Sequence, residues 1–271
     1  MNILITGENG YIARHLKQAL SDNGYYCVAA SLRNGWEDII NLSGYDTVIH
    51  CAALVHSNES KPKRFYSVNT ELTAALAEKS KREGVRQFIF MSTMAVYGIS
   101  GNLRGLTVID RHTPENPVTP YGKSKLLAEY KLKDIANEHF RVYILRLPMV
   151  YGTGAPGNYA RLCQLVKITP VFPKVFNKRS VISIENLKKY VLTLLRKEEP
   201  TDKGNTECIR ILCPQDPTPI CTSDLAASIA AGWKKTLILS ALLGRLILLF
   251  PVEPIRKMFG SLIYADEIMD N

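Results

Sequence analysis

Five short apolar stretches in the first 146 residues carry no polar alternation, and helix-like stretches separate them. They are 2–6 (NILIT), 26–30 (YCVAA), 47–53 (TVIHCAA), 87–91 (QFIFM) and 141–146 (RVYILR). A strand that is apolar on both sides must be covered on both faces, which is the condition of a parallel sheet joined by helical crossovers. Right-handed crossovers wind helices onto the two faces in turn, so the expected class is α/β with a doubly wound parallel sheet. Ile12, Leu16 and Leu20 recur at helical spacing until Asn23-Gly24 stops them. Further helices are predicted over 68–83 and 123–139.

After Pro148 the rhythm breaks. Gly152, Gly154, Pro156, Gly157, Pro170 and Pro173 crowd into a loop-rich stretch. A strand over 181–184, a helix over 186–196, a strand over 207–212 and a helix beyond Pro219 follow. Residues 1–147 are expected to form the sheet domain, with parts of 181–212 completing its sheet. Residues 148–271 are expected to form mainly a smaller lobe. The most apolar segment is 236–252 (TLILSALLGRLILLFPV). A membrane span needs about 20 apolar residues, and this run is shorter and interrupted by Arg245. A buried helix of the lobe, without stable membrane insertion, is the expectation; a helix touching a membrane is the alternative.

With 46% hydrophobic and 22% charged residues among 271, disorder and fibrous classes are excluded. Lys and Arg outnumber Asp and Glu by 34 to 25, for a net charge of +9. The cations are dispersed without interleaved aromatics, which points away from nucleic acid and towards small anionic ligands. Cysteines 27, 51, 163, 208, 213 and 221 form no CxxC pair, and Cys208 and Cys213 have no neighbouring His. No metal site is expected, and a reduced, cytoplasmic protein is. The start MNILITGENGY lacks the basic region of a signal peptide.

The first strand runs into Gly7-Glu8-Asn9-Gly10 and then Tyr11-Ile12 at a helix start. A glycine turn from a parallel strand into a helix aims backbone N–H groups and the positive end of the helix dipole at one spot, which suits a pyrophosphate. Gly7 permits the turn, Gly10 lets backbone approach phosphate, and Ala13 allows close packing. At the end of the second strand an acidic residue would bind the ribose 2′-hydroxyl of NAD. Ser31-Leu32-Arg33 stands there instead, which favours the 2′-phosphate of NADP, with NAD the alternative. Arg33 also reads as an ordinary surface cation.

Tyr121 and Lys125 sit four apart at a predicted helix start, on one face. A nearby ammonium favours a phenolate, so Tyr121 is expected to titrate below its usual ~10 and to exchange a proton with a substrate oxygen. Alone the pair is an ordinary helix-surface pattern. Met91-Ser92-Thr93 at a strand's C-terminal end, where ligands of open α/β sheets bind, gives it a context.

With TGENGYIA (6–13), DTVIHCAA (46–53), FIFMSTMAVYG (88–98), YGKSK (121–125), LRLPMVYG (145–152) and RSVISIENL (179–187), the chain resembles the extended short-chain dehydrogenase/reductase superfamily. The resemblance is to its nucleotide-sugar epimerase, dehydratase and reductase branch. It implies a Rossmann-type fold with a small C-terminal substrate lobe. It implies Thr93, Tyr121 and Lys125 as the catalytic set. Cofactor contacts are implied at Gly7, Asn9, Gly10, Tyr11, Ile12, Ser31, Arg33, Cys51, Ala52, Ala53, Asn69, Met91, Ser92, Tyr121, Lys125 and Pro148. Substrate contacts are implied at Thr93, Tyr121, Asn158 and Arg179, the last two on the diphosphate of a nucleotide-linked sugar. An Arg fork is a natural diphosphate clamp, whereas Asn158 also reads as plain turn chemistry.

Three departures stand out. Ser31 replaces the acidic residue of the epimerases, the second-to-third strand connection is short, and the C-terminal lobe ends early for the family. Met94 and Ala95 after Thr93 cannot titrate, which argues against a dehydratase. The expected function is an NADPH-dependent 4-ketoreductase of a UDP-N-acetylhexosamine in polysaccharide precursor synthesis. An NAD-dependent UDP-sugar 4-epimerase is the alternative, and a non-catalytic dinucleotide-binding regulator is a third. Family membership further implies a homodimer through the 68–83 and 123–139 helices.

Overall fold

The computed structural model describes residues 1–33, 36–55, 62–197 and 207–265. Its strands are β1 (Asn2–Thr6), β2 (Tyr26–Ala30), β3 (Thr47–His50), β4 (Gln87–Thr93), β5 (Leu106–Ile109), β6 (Arg141–Leu147), β7 (Met149–Tyr151), β8 (Val171–Pro173), β9 (Val181–Ser183), β10 (Ile209–Leu212), β11 (Ile238–Ser240) and β12 (Ser261–Tyr264). Its helices are α1 (Tyr11–Asp22), α2 (Trp36–Ile39), α3 (Lys63–Tyr66), α4 (Leu72–Arg82), α5 (Pro120–Ile135), α6 (Asn158–Ile168), α7 (Ile184–Lys197), α8 (Thr222–Gly232), α9 (Ala241–Ile247) and α10 (Glu253–Phe259).

Six strands form one parallel sheet in the order β10-β6-β4-β3-β1-β2. Alternate residues of each strand face opposite layers. Ile3 and Ile5 join Leu16, Leu20, Leu187 and Val191 under α1 and α7, whereas Leu4, Val48, Phe88 and Phe90 join Leu76 and Leu132 under α4 and α5. The strands therefore read as uniformly apolar because both faces are roofed. Each fully buried aliphatic or aromatic side chain contributes about 1.5–3 kcal/mol.

The expected helix over 68–83 begins earlier, at α3, and is interrupted by a π-turn, Ser67–Glu71, before α4. The expected helix over 123–139 is α5, starting at Pro120 with Thr119 as its cap and stopping at Ile135. The third strand stops at His50 rather than at Ala53, because the chain leaves the sheet at Cys51. Only α2 is described between β2 and β3, and β2 is the sheet edge.

Of the 181–212 stretch, β10 pairs with β6 and extends the central sheet. Val181–Ser183 does not; it pairs with β7 in a separate ribbon. Beyond β7, α6, α8, β8 and α10 enclose a second core around Leu162, Val166, Phe172, Leu225 and Phe259. The expected single buried helix over 236–252 is corrected: β11 pairs with β8, α9 occupies only Ala241–Ile247, and most of 241–254 is exposed. Gly244 lies against the Lys174 carbonyl, where a Cβ would come within 2.0 Å of the oxygen. That contact pins α9 to the end of β8 and leaves its outer side uncovered among the described residues.

Candidate active site

β1 is flanked by β2 on one side and β3 on the other, so the winding of the sheet reverses at the C-terminal ends of β1 and β3. A crevice opens at such a point. Gly7 and Gly10 stand there. The Gly7 N–H donates to the Ala30 carbonyl (3.0 Å) and the Gly10 N–H to the Gly7 carbonyl (2.7 Å), which closes the turn. Gly7 has φ +79°, and a Cβ on it would lie 2.8 Å from the Ala52 nitrogen. Only glycine fits both demands. No side chain caps the start of α1, and its first turn holds no acidic residue. Its leading N–H groups therefore remain available to an anion.

The loop after β3, carrying Cys51, Ala52 and Ala53, is fixed from behind. The Asn69 side chain accepts from the Leu54 N–H (2.8 Å) and donates to the Leu54 carbonyl (2.9 Å) and to Ser124 Oγ (3.0 Å). Asn69 is wholly buried in the π-turn with its amide fully engaged. It supports the Cys51–Ala53 loop from behind. A buried His50, not singled out by the sequence, bridges Thr6 Oγ1 (2.7 Å) and Thr73 Oγ1 (2.9 Å) beneath the turn. Burial, with the Lys125 charge adding to it, pulls His50 down to about 3 and keeps it neutral. Burial likewise pushes the Cys51 thiol up to about 12.

Thr93 ends β4, and its hydroxyl accepts from the Ala95 N–H (3.2 Å). That leaves its proton for the Tyr121 phenol, with which it hydrogen-bonds. Gly122 lets the start of α5 press onto this turn, since a Cβ there would lie 2.6 Å from the Ala95 carbonyl. Ser124 Oγ donates to the Tyr121 carbonyl (2.8 Å), and Thr70 Oγ1 to the Ser124 carbonyl (2.7 Å). The π-turn and α5 are thereby stitched together.

Lys125 is almost fully buried; its ammonium donates to the Met91 carbonyl (2.7 Å) and lies 4.3 Å from the centre of the Phe90 ring. Burial pulls it down to about 7, although Cys51 and Glu129 oppose that shift. The expected lowering of Tyr121 is reversed. Burial raises the phenol to about 12, and the Thr93 hydrogen bond offsets only part of this. Lys125 does not counter that burial, its ammonium being held on the Met91 carbonyl. In this structure Tyr121 is a neutral phenol.

Met91 and Ser92 are buried. Met91 contributes its carbonyl to Lys125, and its side chain joins the core under α1. Ser92 turns the other way and donates to Glu129. Strand alternation commits the two side chains to opposite layers. Tyr11 is also a core residue, its ring against His15 and its hydroxyl without a partner among the described residues.

Glu129 itself was missed. Arg146 donates to it through Nη2 (2.6 Å), to Glu115 through Nη2 (2.7 Å) and to the Tyr97 hydroxyl through Nη1 (2.8 Å). Two sequence signals mark the pair: Glu129 follows Lys125 by one more helical turn, and Arg146 interrupts an otherwise apolar strand.

Ser31 is half-buried and Arg33 exposed past the end of β2. A recess of about 380 Å³ beside the glycine turn is lined instead by Glu8, Asn9, Arg14, Lys17, Gln18, Ser21 and Ala29. Its cations, Arg14 and Lys17, come from the outer face of α1. Pro148 marks the exit from β6 into β7. Arg179 donates to the Gly260 carbonyl (2.8 Å) and has no ion-pair partner among the described residues. Burial lowers it to about 10. Asn158 is exposed at the first residue of α6. Among the described residues no hydrogen bond joins either of them to Thr93 or Tyr121.

The model of the NAD-dependent epimerase/dehydratase family matches residues 3–169. The chain belongs to that family. A UDP-glucose 4-epimerase of Vibrio cholerae is 34% identical over 221 residues, covering 72% of this chain and 66% of that protein. A UDP-glucose 4-epimerase of Azospirillum brasilense is 31% identical over 58% of this chain. This family member thus matches just under two thirds of the first relative and 51% of the second. Among solved structures, UDP-glucuronic acid 4-epimerase from Bacillus cereus in complex with NAD is 20% identical at a TM-score of 0.72, covering 98% of this chain and 90% of that one. A dTDP-4-dehydrorhamnose reductase from Clostridium acetobutylicum has the same TM-score at 21% identity, over 97% and 90% of the two chains. Both likenesses show the fold.

Proposed function

We propose that this chain is an NAD(P)-dependent oxidoreductase acting at C4 of a nucleotide-linked sugar, and that it works as a UDP-sugar 4-epimerase. The observation carrying this reading is the juxtaposition of a glycine cradle that a single Cβ would fill with the Thr93–Tyr121 hydrogen bond. The names of the curated relatives favour epimerase over the 4-ketoreductase that the sequence pointed to.

The cradle, the uncapped start of α1 and the Cys51–Ala53 loop fit a dinucleotide and would hold it. When bound, it supplies a hydride acceptor and donor at its nicotinamide. The chain's own part is proton handling. Tyr121, once its phenol has given up its own proton to solvent, takes the proton from the sugar's 4-hydroxyl and returns it after the sugar has turned. Thr93 orients that oxygen, and Lys125 supports the phenol from within the core. Arg179 and Asn158 are assigned to the diphosphate, where a guanidinium without a carboxylate is suited to two oxygens. A homodimer through α4 and α5 belongs to this reading, Leu127 and Tyr130 being exposed on α5.

A second reading, the 4-ketoreductase, rests on Ser31 and Arg33, which leave no carboxylate at the end of β2. A protonated Tyr121 also suits a single delivery of a proton. The mass of the nucleotide released on denaturation separates the two readings. Retained NAD with interconversion of UDP-glucose and UDP-galactose supports the epimerase; an empty protein that binds NADPH and reduces a 4-keto sugar supports the reductase. A Tyr121→Phe variant should keep the dinucleotide and lose turnover by about 10²–10⁴-fold. Unchanged turnover contradicts both.

A further inference from the structure

The apolar segment 236–252 points only one side inward. Ile247 and Leu248 pack with Ile255 and Met258 on the second core. On the other side Leu242 (68% exposed) and Leu246 (46%) lie one turn apart on α9, and Leu249 (64%), in the turn that follows it, extends them into a stripe. Phe250 (61%) and Val252 (53%) prolong it past the end of α9. Among the described residues nothing covers this stripe, and exposed apolar patches of such continuity mark contact surfaces.

Its surroundings are cationic. Along the chain between residues 240 and 260 stand Arg245, Arg256 and Lys257 against the lone carboxylate Glu253, whereas Lys235 is held on the Val166, Lys167 and Thr169 carbonyls. Glu253 is already engaged, accepting from Ser100 Oγ (2.6 Å) and pairing with Lys257 (3.2 Å). At the foot of the stripe a recess of about 510 Å³ is lined by Leu248 and Pro251 from one side and by Arg104 and Arg256. Neither arginine has an ion-pair partner among the described residues.

We propose that this face is a peripheral docking surface for an anionic lipid bilayer. The stripe enters the interface, Arg245 lies along it with its head at the phosphates, and Arg104 with Arg256 receives a headgroup at the edge. The charge pattern selects the bilayer over a second copy of the chain. In a two-fold pairing the same patch meets itself, which sets one cationic rim against another. The net charge of +9 adds attraction towards an anionic surface. A helix of seven residues lies on a membrane and does not cross it. This inference does not depend on the sugar chemistry.

Co-sedimentation of the full chain with vesicles tests it, using phosphatidylcholine alone and phosphatidylcholine mixed with phosphatidylglycerol. Binding is expected to the anionic vesicles, to be weak to the neutral ones, and to fall at high salt. Leu249→Ser with Phe250→Ser should weaken it by roughly tenfold or more. Arg104→Glu with Arg256→Glu keeps the stripe, and should reduce binding to the neutral-vesicle level even if the first variant fails to fold. Equal sedimentation with both vesicle types, or unaltered binding by both variants, overturns the proposal. So does a stripe variant that turns a dimer into a monomer by light scattering, which assigns the stripe to a second copy.

Discussion

Lys125 illustrates how a side chain's surroundings decide its chemistry. Its ammonium sits under Phe90 and on the Met91 carbonyl, and burial holds it near 7 against an ordinary 10.5. A folded-state pKa below the unfolded one means that the unfolded chain binds more protons between those values, so stability rises with pH across that window. Urea unfolding at several pH values should show wild type gaining stability relative to Lys125→Met as pH climbs from about 7 towards 10.5. A constant difference between the two proteins contradicts the assigned burial. Tyr121 tells the complementary story: the i, i+4 spacing with Lys125 was legible in the sequence, but the sign of the phenol's shift was not. Spacing reports which groups are neighbours, whereas burial is a property of everything packed around them.

At the scale of elements, the buried Glu129–Arg146 pair links α5, β4 and β6 at the level of Thr93. Removing Arg146 strands the buried Glu129 carboxylate, so Arg146→Met should destabilise the fold by about 3–5 kcal/mol. Replacing both, as Glu129→Leu with Arg146→Met, should cost much less by thermal or urea unfolding. If the double variant is as unstable as the single, packing rather than charge pairing explains the site. The central strands, α1, the glycine turn and the start of α5 could be read directly, because apolar period and turn chemistry are local signals. The π-turn, the engagement of Asn69 with Leu54 and the outward stripe of α9 could not. Each depends on which distant segment lies opposite, and single-residue apolarity carries no record of that.

Across the whole molecule, the cradle and the phenol belong to the sheet, whereas Arg179 belongs to the lobe closed by β12, whose Tyr264 hydroxyl returns to the Arg146 carbonyl (2.9 Å). The division of labour predicts separable effects. Arg179→Met should raise KM for a UDP-sugar roughly tenfold or more, with dinucleotide affinity unaltered in a titration. Loss of dinucleotide affinity instead would move Arg179 out of the substrate's reach. The account as a whole turns on where a dinucleotide lies. A crystal structure of the protein with NAD or NADPH bound tests this most directly. The expected density has its pyrophosphate over Gly7 and Gly10 at the start of α1 and its nicotinamide beside the Tyr121 hydroxyl. A dinucleotide bound elsewhere, or a nicotinamide out of reach of Tyr121 and Thr93, contradicts it.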